Sequence, residues 1–206
     1  MAKFLASTKE TDAYLIAKDE VFIKIINTCK SVHIVLADDC FASLTASIVG
    51  QQLSGKVADV IYARVNKLCN LNINPRIILE LPVEKIRKAG LSYSKINYLK
   101  NLASAVEDKS IIFENIDALT NEEIIAMLTA VKGIGQWTAE MFLIFTLGRE
   151  DVFSAGDGGL QRAVCQIYGI EEKPTKKQLE DISGNWKPYR TYASLYLWDT
   201  LNKKVN

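Results

Sequence analysis

The sequence predicts an all-α fold, because helical periodicity and helix-capping residues recur along most of its 206 residues. In the segment 54–69, the apolar residues Val57, Val60, Ile61 and Val65 fall on one face of a helix that Ser54 is placed to cap. Capping boxes at 120–123 and 175–178 mark two further helix starts. These signals favour a fold of about ten helices.

Prolines and glycines set further helix boundaries. Pro75 can begin a short helix, and Pro82 can begin another that stops at Gly90. Pro188 stands where the first residue of a helix running to Leu201 belongs. The segment 31–36 is the one candidate strand, and it is too short to make a sheet alone.

Composition narrows the classes of function. The formal net charge of +1 argues against a protein whose affinity for nucleic acid comes mainly from a basic surface. Backbone amides can still hold phosphates without any net charge. Between 84 and 101 five basic residues oppose one glutamate, which indicates either a solvated helix face or a patch that faces nucleic acid. They are Lys85, Arg87, Lys88, Lys95 and Lys100.

Cysteine and histidine usage predicts neither disulfides nor a zinc site. The four cysteines, at 29, 40, 69 and 165, have no regular spacing, as expected of free thiols in a reducing compartment. His33 is the sole histidine, so no zinc ligand set is expected. There is no signal-peptide pattern and no apolar run long enough to cross a membrane, so we expect a soluble, intracellular protein.

The segment 128–139 reads Leu-Thr-Ala-Val-Lys-Gly-Ile-Gly-Gln-Trp-Thr-Ala and predicts a helix, a tight turn and a second helix. Gly133 and Gly135 allow the backbone to approach another molecule closely. The amides near Ile134, Gly135 and Trp137 could then point at a phosphate from a helix start. The alternative is an ordinary tight helix–helix connection.

The segment 154–160 reads Ser-Ala-Gly-Asp-Gly-Gly-Leu and places one carboxylate, Asp157, at the start of another helix. An aspartate there caps the helix by accepting a backbone N–H. By itself, this pattern fits a structural cap as well as a reactive carboxylate.

Together, the two segments resemble the helix-hairpin-helix DNA glycosylase superfamily, most closely the 3-methyladenine DNA glycosylase II class. The resemblance implies two helical lobes with an active-site cleft between them. The central lobe would span 40–149, with the hairpin at about 122–147. Residues 1–39 and 150–206 would form the second lobe, which carries the catalytic aspartate.

The resemblance also implies a monofunctional glycosylase that hydrolyses the N-glycosidic bond of 3-methyladenine and 7-methylguanine in base excision repair. Asp157 matches the catalytic aspartate, which stabilises oxocarbenium character on the sugar. Trp137 stands where bifunctional relatives carry the lysine that attacks the sugar, so no lyase activity is expected. The sequence departs from the family at Ser154, where proline is frequent, and at Met141 and Gly158, close to aromatic positions.

Further site residues follow from the resemblance. Trp137, Trp198, Met141 and Tyr189 would line the base pocket, with Tyr192 as another candidate, although each could be a core residue instead. In the loop 48–54, Gln52 or Leu53 would enter the gap left by the extruded base, or Leu53 is buried in a polar helix break. DNA contacts are expected from Gln52, Leu53, Ser54, Gly133, Ile134, Gly135 and Thr138.

The expected partner is double-stranded DNA that contains alkylated bases, bound by a monomer without any membrane. No cofactor is expected beyond a structural Na⁺ or K⁺ held by the carbonyls of Thr129, Val131 and Ile134. The location would be cytoplasmic and nucleoid-associated in a prokaryote, or nuclear in a eukaryote. The alternatives are a non-catalytic helix-hairpin-helix DNA-binding protein, or a glycosylase for other damaged or mismatched bases. Against the latter stand the missing lysine and the absence of iron–sulfur cysteines after Cys165.

Overall fold

The structure, a computed structural model, describes residues 3–203, and helices dominate it. This described part contains twelve α-helices, one short 3₁₀ helix and a two-stranded sheet. The all-α prediction is confirmed. Contacts between Cα atoms divide the chain into two compact units, one formed by Met1–Asp38 with Leu143–Asn206 and the other by Asp39–Phe142. The second boundary lies before the position 149 expected from the sequence.

The unit Asp39–Phe142 is built around a central helix, α7, which packs against α3, α5 and α6. Its fully buried side chains include Ile96, Leu99 and Leu102 of α7 itself. Burial of such apolar surface is the main stabilising contribution to a helical unit of this kind. The elements are α3 (Cys40–Gly50), α4 (Gly55–Leu68), α5 (Pro75–Glu80), α6 (Val83–Ala89), α7 (Tyr93–Glu107), the 3₁₀ helix (Ile116–Ala118), α8 (Asn121–Thr129) and α9 (Gln136–Phe145, shared with the other unit from Leu143 on).

The unit Met1–Asp38 with Leu143–Asn206 has its core around α12, which packs against α2 and α10. Trp186 is fully buried, and both Phe22 and Phe153 contact it edge to face with ring centroids 5.5 Å away. The elements are β1 (Phe4–Ala6), α1 (Lys9–Lys18), α2 (Val21–Cys29), β2 (His33–Val35), α10 (Gly158–Tyr168), α11 (Lys176–Gly184) and α12 (Arg190–Asn202).

The predicted helix starts agree closely with the structure. Both capping boxes form, at Thr120 and Thr175, and Pro75 is the first residue of α5. Gly90 ends α6 in the left-handed conformation, as expected of a glycine at this position. These signals are local, so a single sequence is enough to identify them.

Three expectations about local structure were wrong. Pro188 precedes α12, because residues 186–189 form a turn in which the Tyr189 N–H donates to the Trp186 carbonyl. The segment 31–36 forms a strand as predicted, β2, but it is not the one strand, because Phe4–Ala6 forms β1 and pairs antiparallel with it. Val57 and Val60 are exposed on α4, because only the part of the apolar face that includes Ile61 and Val65 packs against the unit.

Within residues 3–203, none of the helices is both long and apolar enough to span a bilayer. The same part of the chain holds no group of three His, Cys, Asp or Glu that could bind a metal ion. All four cysteines lie in it as free thiols, and burial raises the pKa of Cys29 to about 11 and also raises the pKa of Cys69.

Candidate active site

Asp157 is the N-cap of α10, as the sequence predicted. Its backbone is extended, and its Oδ1 atom accepts a hydrogen bond from the Leu160 N–H at 2.8 Å. The side chain is half-buried, so the carboxylate is fixed by the protein without being enclosed in the core. The partial positive charge at the start of α10 stabilises a carboxylate at this position.

A second donor reaches the same oxygen from another helix. The indole Nε1–H of Trp198, on α12, donates to Asp157 Oδ1 at 3.0 Å. The Trp198 ring stacks on Phe145, with centroids 5.8 Å apart and planes inclined by 30°. The structure thus brings two residues predicted for the site, Asp157 and Trp198, into direct contact. The contact made by the N–H edge of the indole was not foreseen.

Gly159 makes this contact possible. A Cβ atom at this position would lie 2.9 Å from Asp157 Oδ1 and 3.1 Å from two atoms of the Trp198 indole. A side chain there would therefore push the indole away from the carboxylate. Sequence reasoning missed this role, although a second glycine in the first turn of a helix, directly after the acid, is a signal that could have found it.

The loop before Asp157 is tied to the helix that follows it. The Asp157 N–H donates to the Ser154 carbonyl at 3.0 Å, and the Gln161 side chain donates to the Ala155 carbonyl at 2.9 Å. Ser154 is fully buried. The segment that delivers the carboxylate is therefore closed at both ends by hydrogen bonds within a few residues.

The start of α12 anchors the same loop further upstream. Arg190 forms a two-point ion pair with Asp151, with nitrogen–oxygen distances of 2.6 and 3.0 Å. The Thr191 hydroxyl donates to the Arg149 carbonyl at 2.6 Å and accepts the Val152 N–H at 3.0 Å. Neither Arg190 nor Thr191 was identified from the sequence, because their partners lie about 40 residues away in the chain.

The tyrosines before and within α12 form a cluster of their own. Tyr189 contacts Tyr14 and Tyr192 edge to face, with centroid distances of 5.2 and 5.9 Å. Tyr192 is buried, and its hydroxyl donates to Glu150 at 2.6 Å; burial and this carboxylate raise its pKa. Tyr192 is therefore a core residue. Tyr189 packs against the same cluster through its ring contacts with Tyr14 and Tyr192.

In the predicted hairpin, α8 ends at Thr129 and α9 begins at Gln136, so the turn spans 130–135. Gly133 has a φ of +114°, and a Cβ there would lie 2.3 Å from the ring of Tyr98. Gly135 has neither constraint, since no atom lies within 4 Å of its Cβ position. The fold thus requires glycine at 133, whereas at 135 the glycine leaves open space on an exposed stretch of backbone.

The amides of this turn differ from the prediction at one position. The Ile134 N–H donates to the Val131 carbonyl inside the turn at 3.0 Å, and Ile134 is buried, so this residue does not present its amide outward. The Gly135 carbonyl accepts from the Ala139 N–H, which sets the N-terminal end of α9 at Gly135. Thr138 is 4% exposed, so its side chain is not available to a phosphate. The group of Thr138 that would bind a phosphate is its main-chain N–H in the first turn of α9.

Two predicted pocket residues lie on α9. Trp137 is 47% exposed, far more than a core tryptophan, and Met141 follows it by one helical turn and is half-buried. Trp137 is therefore not a core residue, and its role in base binding stays a prediction.

The predicted gap-filling loop connects α3 to α4, and residues 51–54 are called the wedge loop below. Gln52 adopts a left-handed φ of +57° and is exposed, and Leu53 is 38% exposed. The alternative of a buried Leu53 is therefore wrong. Ser54 is the N-cap of α4, although its side chain makes no capping hydrogen bond. Gln51, which sequence reasoning left out, donates from Nε2 to the Gly133 carbonyl at 2.9 Å.

Two lysines of the 84–101 stretch are used inside the fold. Lys95 donates to the Val49 carbonyl at 2.8 Å, and Lys100 donates to the carbonyls of Leu79 and Leu81 at 2.7 and 2.8 Å. Desolvation lowers the pKa of both amines. These two lysines cap the ends of α3 and α5. They therefore belong neither to a solvated helix face nor to a patch that faces nucleic acid.

Comparison with known proteins identifies the family of this chain. Residues 45–188 match the model of the HhH-GPD superfamily of base excision DNA repair proteins, and the chain belongs to this family. It is 31% identical over 204 residues to DNA-3-methyladenine glycosylase 1 of Schizosaccharomyces pombe, covering 96% of this chain and 90% of that one. The family prediction is confirmed.

Solved structures extend the comparison. A crystal structure of DNA-3-methyladenine glycosidase from Bacillus halodurans matches with a TM-score of 0.87 at 38% identity, covering 96% of this chain and 92% of that one. The 3-methyladenine DNA glycosylase of S. pombe in complex with abasic DNA matches with a TM-score of 0.84 at 30% identity, covering 96% and 99%.

The hairpin geometry predicts unequal roles for its two glycines. Gly133→Ala should lower the free energy of unfolding by about 1–3 kcal/mol, because it combines a left-handed backbone with a clash against Tyr98. Gly135→Ala is the matched control and should unfold like the wild type in chemical denaturation. Adding Tyr98→Ala to Gly133→Ala should recover only the part of the steric loss that the ring causes, because alanine keeps the Cβ atom that lies 2.5 Å from the new side chain. A loss that is no smaller than in the Tyr98 background would contradict the assigned ring contact.

Proposed function

We propose that this protein is a monofunctional DNA glycosylase that removes alkylated purines, chiefly 3-methyladenine and 7-methylguanine, from double-stranded DNA. The observation that carries the proposal is the half-buried carboxylate of Asp157, held by the Leu160 and Trp198 N–H groups at the start of α10. Membership of a base excision repair family and similarity to proteins named 3-methyladenine glycosylases support the reaction class.

The chemistry suits a single fixed carboxylate. Cleavage of the N-glycosidic bond develops positive charge on the sugar, and an adjacent carboxylate stabilises it. Alkylation at N3 or N7 makes the purine cationic and a good leaving group, which reduces the need for acid catalysis on the base. A cationic base also binds favourably to electron-rich aromatic faces such as those of Trp137 and Trp198.

DNA would be held by the hairpin rather than by net charge. Amides in the first turn of α9 suit a phosphate, and the exposed backbone at Gly135 lets the phosphate approach. The exposed Gln52 and Leu53 would fill the gap left by base extrusion. A monovalent cation would be held by the carbonyls of Thr129, Val131 and Ile134. Carbonyl oxygens suit such an ion, and the first of them ends α8, where the helix dipole is negative.

Water would be the nucleophile. The position that carries the attacking lysine in bifunctional relatives is Trp137, whose indole cannot form a Schiff base with the sugar. The products would then be a free alkylated base and an abasic site with an intact strand.

Asp157→Asn should reduce base release by at least about 10²-fold, because it removes the charge that stabilises the oxocarbenium ion. The asparagine Oδ1 can still accept the Leu160 and Trp198 N–H groups, so the helix cap and the fold should persist. The measurement is chromatography of free bases released from methylated DNA, with thermal unfolding as the check on folding. Asp181→Asn, an exposed change on α11, should keep full activity. Wild-type turnover by Asp157→Asn, or free bases other than alkylated purines from the wild type, would contradict the proposal.

Gly135→Arg should weaken binding to all duplexes by about tenfold or more, because its side chain blocks the approach of a phosphate to the hairpin amides. The site has open space, so the variant should fold. Gly184→Arg adds the same charge in open space on α11 and serves as the control. Fluorescence anisotropy with undamaged and damaged duplexes measures the effect, and an unchanged affinity for undamaged DNA would refute the phosphate grip.

Borohydride trapping tests the choice of nucleophile. Incubated with alkylated DNA and sodium borohydride, the wild type should form no covalent adduct on a denaturing gel, because Trp137 offers no amine to the sugar. A glycosylase with lyase activity, treated in parallel, provides the positive control. A trapped adduct of the wild type would show that an amine attacks the sugar and would overturn hydrolysis by water.

A further inference from the structure

The contact between Gln51 and Gly133 joins two functional segments that lie far apart in the chain. The Gln51 side chain leaves the wedge loop and donates to the carbonyl of the hairpin glycine at 2.9 Å, across 82 residues. Gln51 is half-buried, whereas Gln52 and Leu53 beside it are exposed. Gln51 thus points into the unit while its neighbours point out of it.

Helix α7 supports both segments from one face. Lys95 donates to the Val49 carbonyl at the end of α3, just before the wedge loop. Asn101 donates to the Lys132 carbonyl at 3.1 Å, and the ring of Tyr98 lies against Gly133. Residues 95, 98 and 101 follow each other at three-residue spacing, so they share one face of the helix. The wedge loop and the hairpin therefore rest on the same helix and are also joined directly.

The wedge loop has a strained backbone that needs such support. Gln52 has a left-handed φ of +57°, which a non-glycine residue adopts only when its surroundings impose it. The Leu53 N–H donates to the Gly50 carbonyl at 3.1 Å, which closes the turn on the α3 side. Only the Gln51 side chain ties the loop to the hairpin among the hydrogen bonds that the structure shows for residues 51–54.

We propose that Gln51 is a positioning residue that fixes the wedge loop relative to the hairpin, so that phosphate binding and base extrusion occur in register on one duplex. This inference rests on the proposed function of both segments. When the hairpin holds the DNA backbone, the gap left by the extruded base lies at a fixed distance from the bound phosphate. The side chain that fills the gap must lie at the same distance from the hairpin. Gln51 itself contacts neither the phosphate nor the base in this scheme; it acts through Gly133 and Gln52.

Two substitutions of Gln51 separate the hydrogen bond from charge. Gln51→Met keeps the length of the side chain without a donor, and Gln51→Glu keeps its shape but replaces the donor by an acceptor. Both should reduce single-turnover excision of 7-methylguanine from a fully paired duplex by about fivefold, the effect of one hydrogen bond. Duplex affinity should change by less than about twofold, because the amides of the first turn of α9 are untouched. Gln166→Met, an exposed change on α10, is the matched control and should behave as the wild type.

Base extrusion is measured without hydrolysis. In the Asp157→Asn background, the fluorescence of 2-aminopurine in the lesion-bearing pair should rise less on binding of Gln51→Met than of the parent. A mispaired lesion, which is cheaper to extrude, should restore most of the excision rate. A residue that only stabilised the fold would lower activity on paired and mispaired lesions alike, and the thermal unfolding midpoint would fall with it.

The outcomes separate the two proposals. Slower excision and reduced 2-aminopurine fluorescence, with unchanged affinity and rescue by the mispair, support the positioning role. Wild-type excision together with unaffected Gln51 variants overturns that role and leaves the proposed glycosylase intact. A loss that is equal on paired and mispaired lesions also overturns it. A wild type that releases no alkylated base from methylated DNA overturns the proposed function and this inference with it.

Discussion

Two N–H donors that belong to different helices bind the Oδ1 atom of Asp157, and the rest of the candidate site depends on this arrangement. One donor is the Leu160 amide in the first turn of α10, and the other is the Trp198 indole on α12. The orientation of the carboxylate is therefore fixed by how α10 packs against α12. Since Leu160 and Leu197 are fully buried, the tight packing of this core determines the geometry of the Asp157 carboxylate.

Helix α12 also binds the segment of chain that precedes the Asp157 carboxylate. Its first residues, Arg190 and Thr191, bind the loop 149–152, and Trp198 two turns later contacts Asp157. The ends of one helix thus set both the start and the end of the segment 149–157. Arg190 and Asp151 form a bidentate, partly buried pair, which is the geometry in which an ion pair gives directional restraint. The site is preorganised by a short rigid helix rather than by a long loop.

The features that could be predicted from the sequence are those with local physical causes. The caps at Thr120, Thr175 and Asp157 depend on bonds across three residues, and the helix-turn-helix of the hairpin follows from Gly133 and its flanking patterns. The Trp198–Asp157 contact spans 41 residues and the Gln51–Gly133 contact spans 82, so nothing in the local pattern specifies them. Periodicity likewise grouped Val57 with Ile61, although only Ile61 meets a packing partner. A helix face is readable in a sequence, but what covers it is decided by tertiary structure.

Two basic residues of this chain of net charge +1, Lys95 and Lys100 on α7, bind backbone carbonyls of the protein itself. Lys95 and Lys100 lie against the C-terminal ends of α3 and α5, where their charges meet the negative ends of the helix dipoles. These charges stabilise the unit and, in the case of Lys95, the base of the wedge loop. Their contribution to the field outside the protein is correspondingly reduced, because the carbonyl partners and the surrounding protein replace water around them. Under the proposed phosphate grip, the attraction for a phosphate would come from fixed backbone dipoles at the hairpin, which act over a few ångströms and only in the right orientation. A protein that bound DNA in this way would gain its affinity from the shape of its backbone, so a single glycine in the turn would matter more than the count of basic residues.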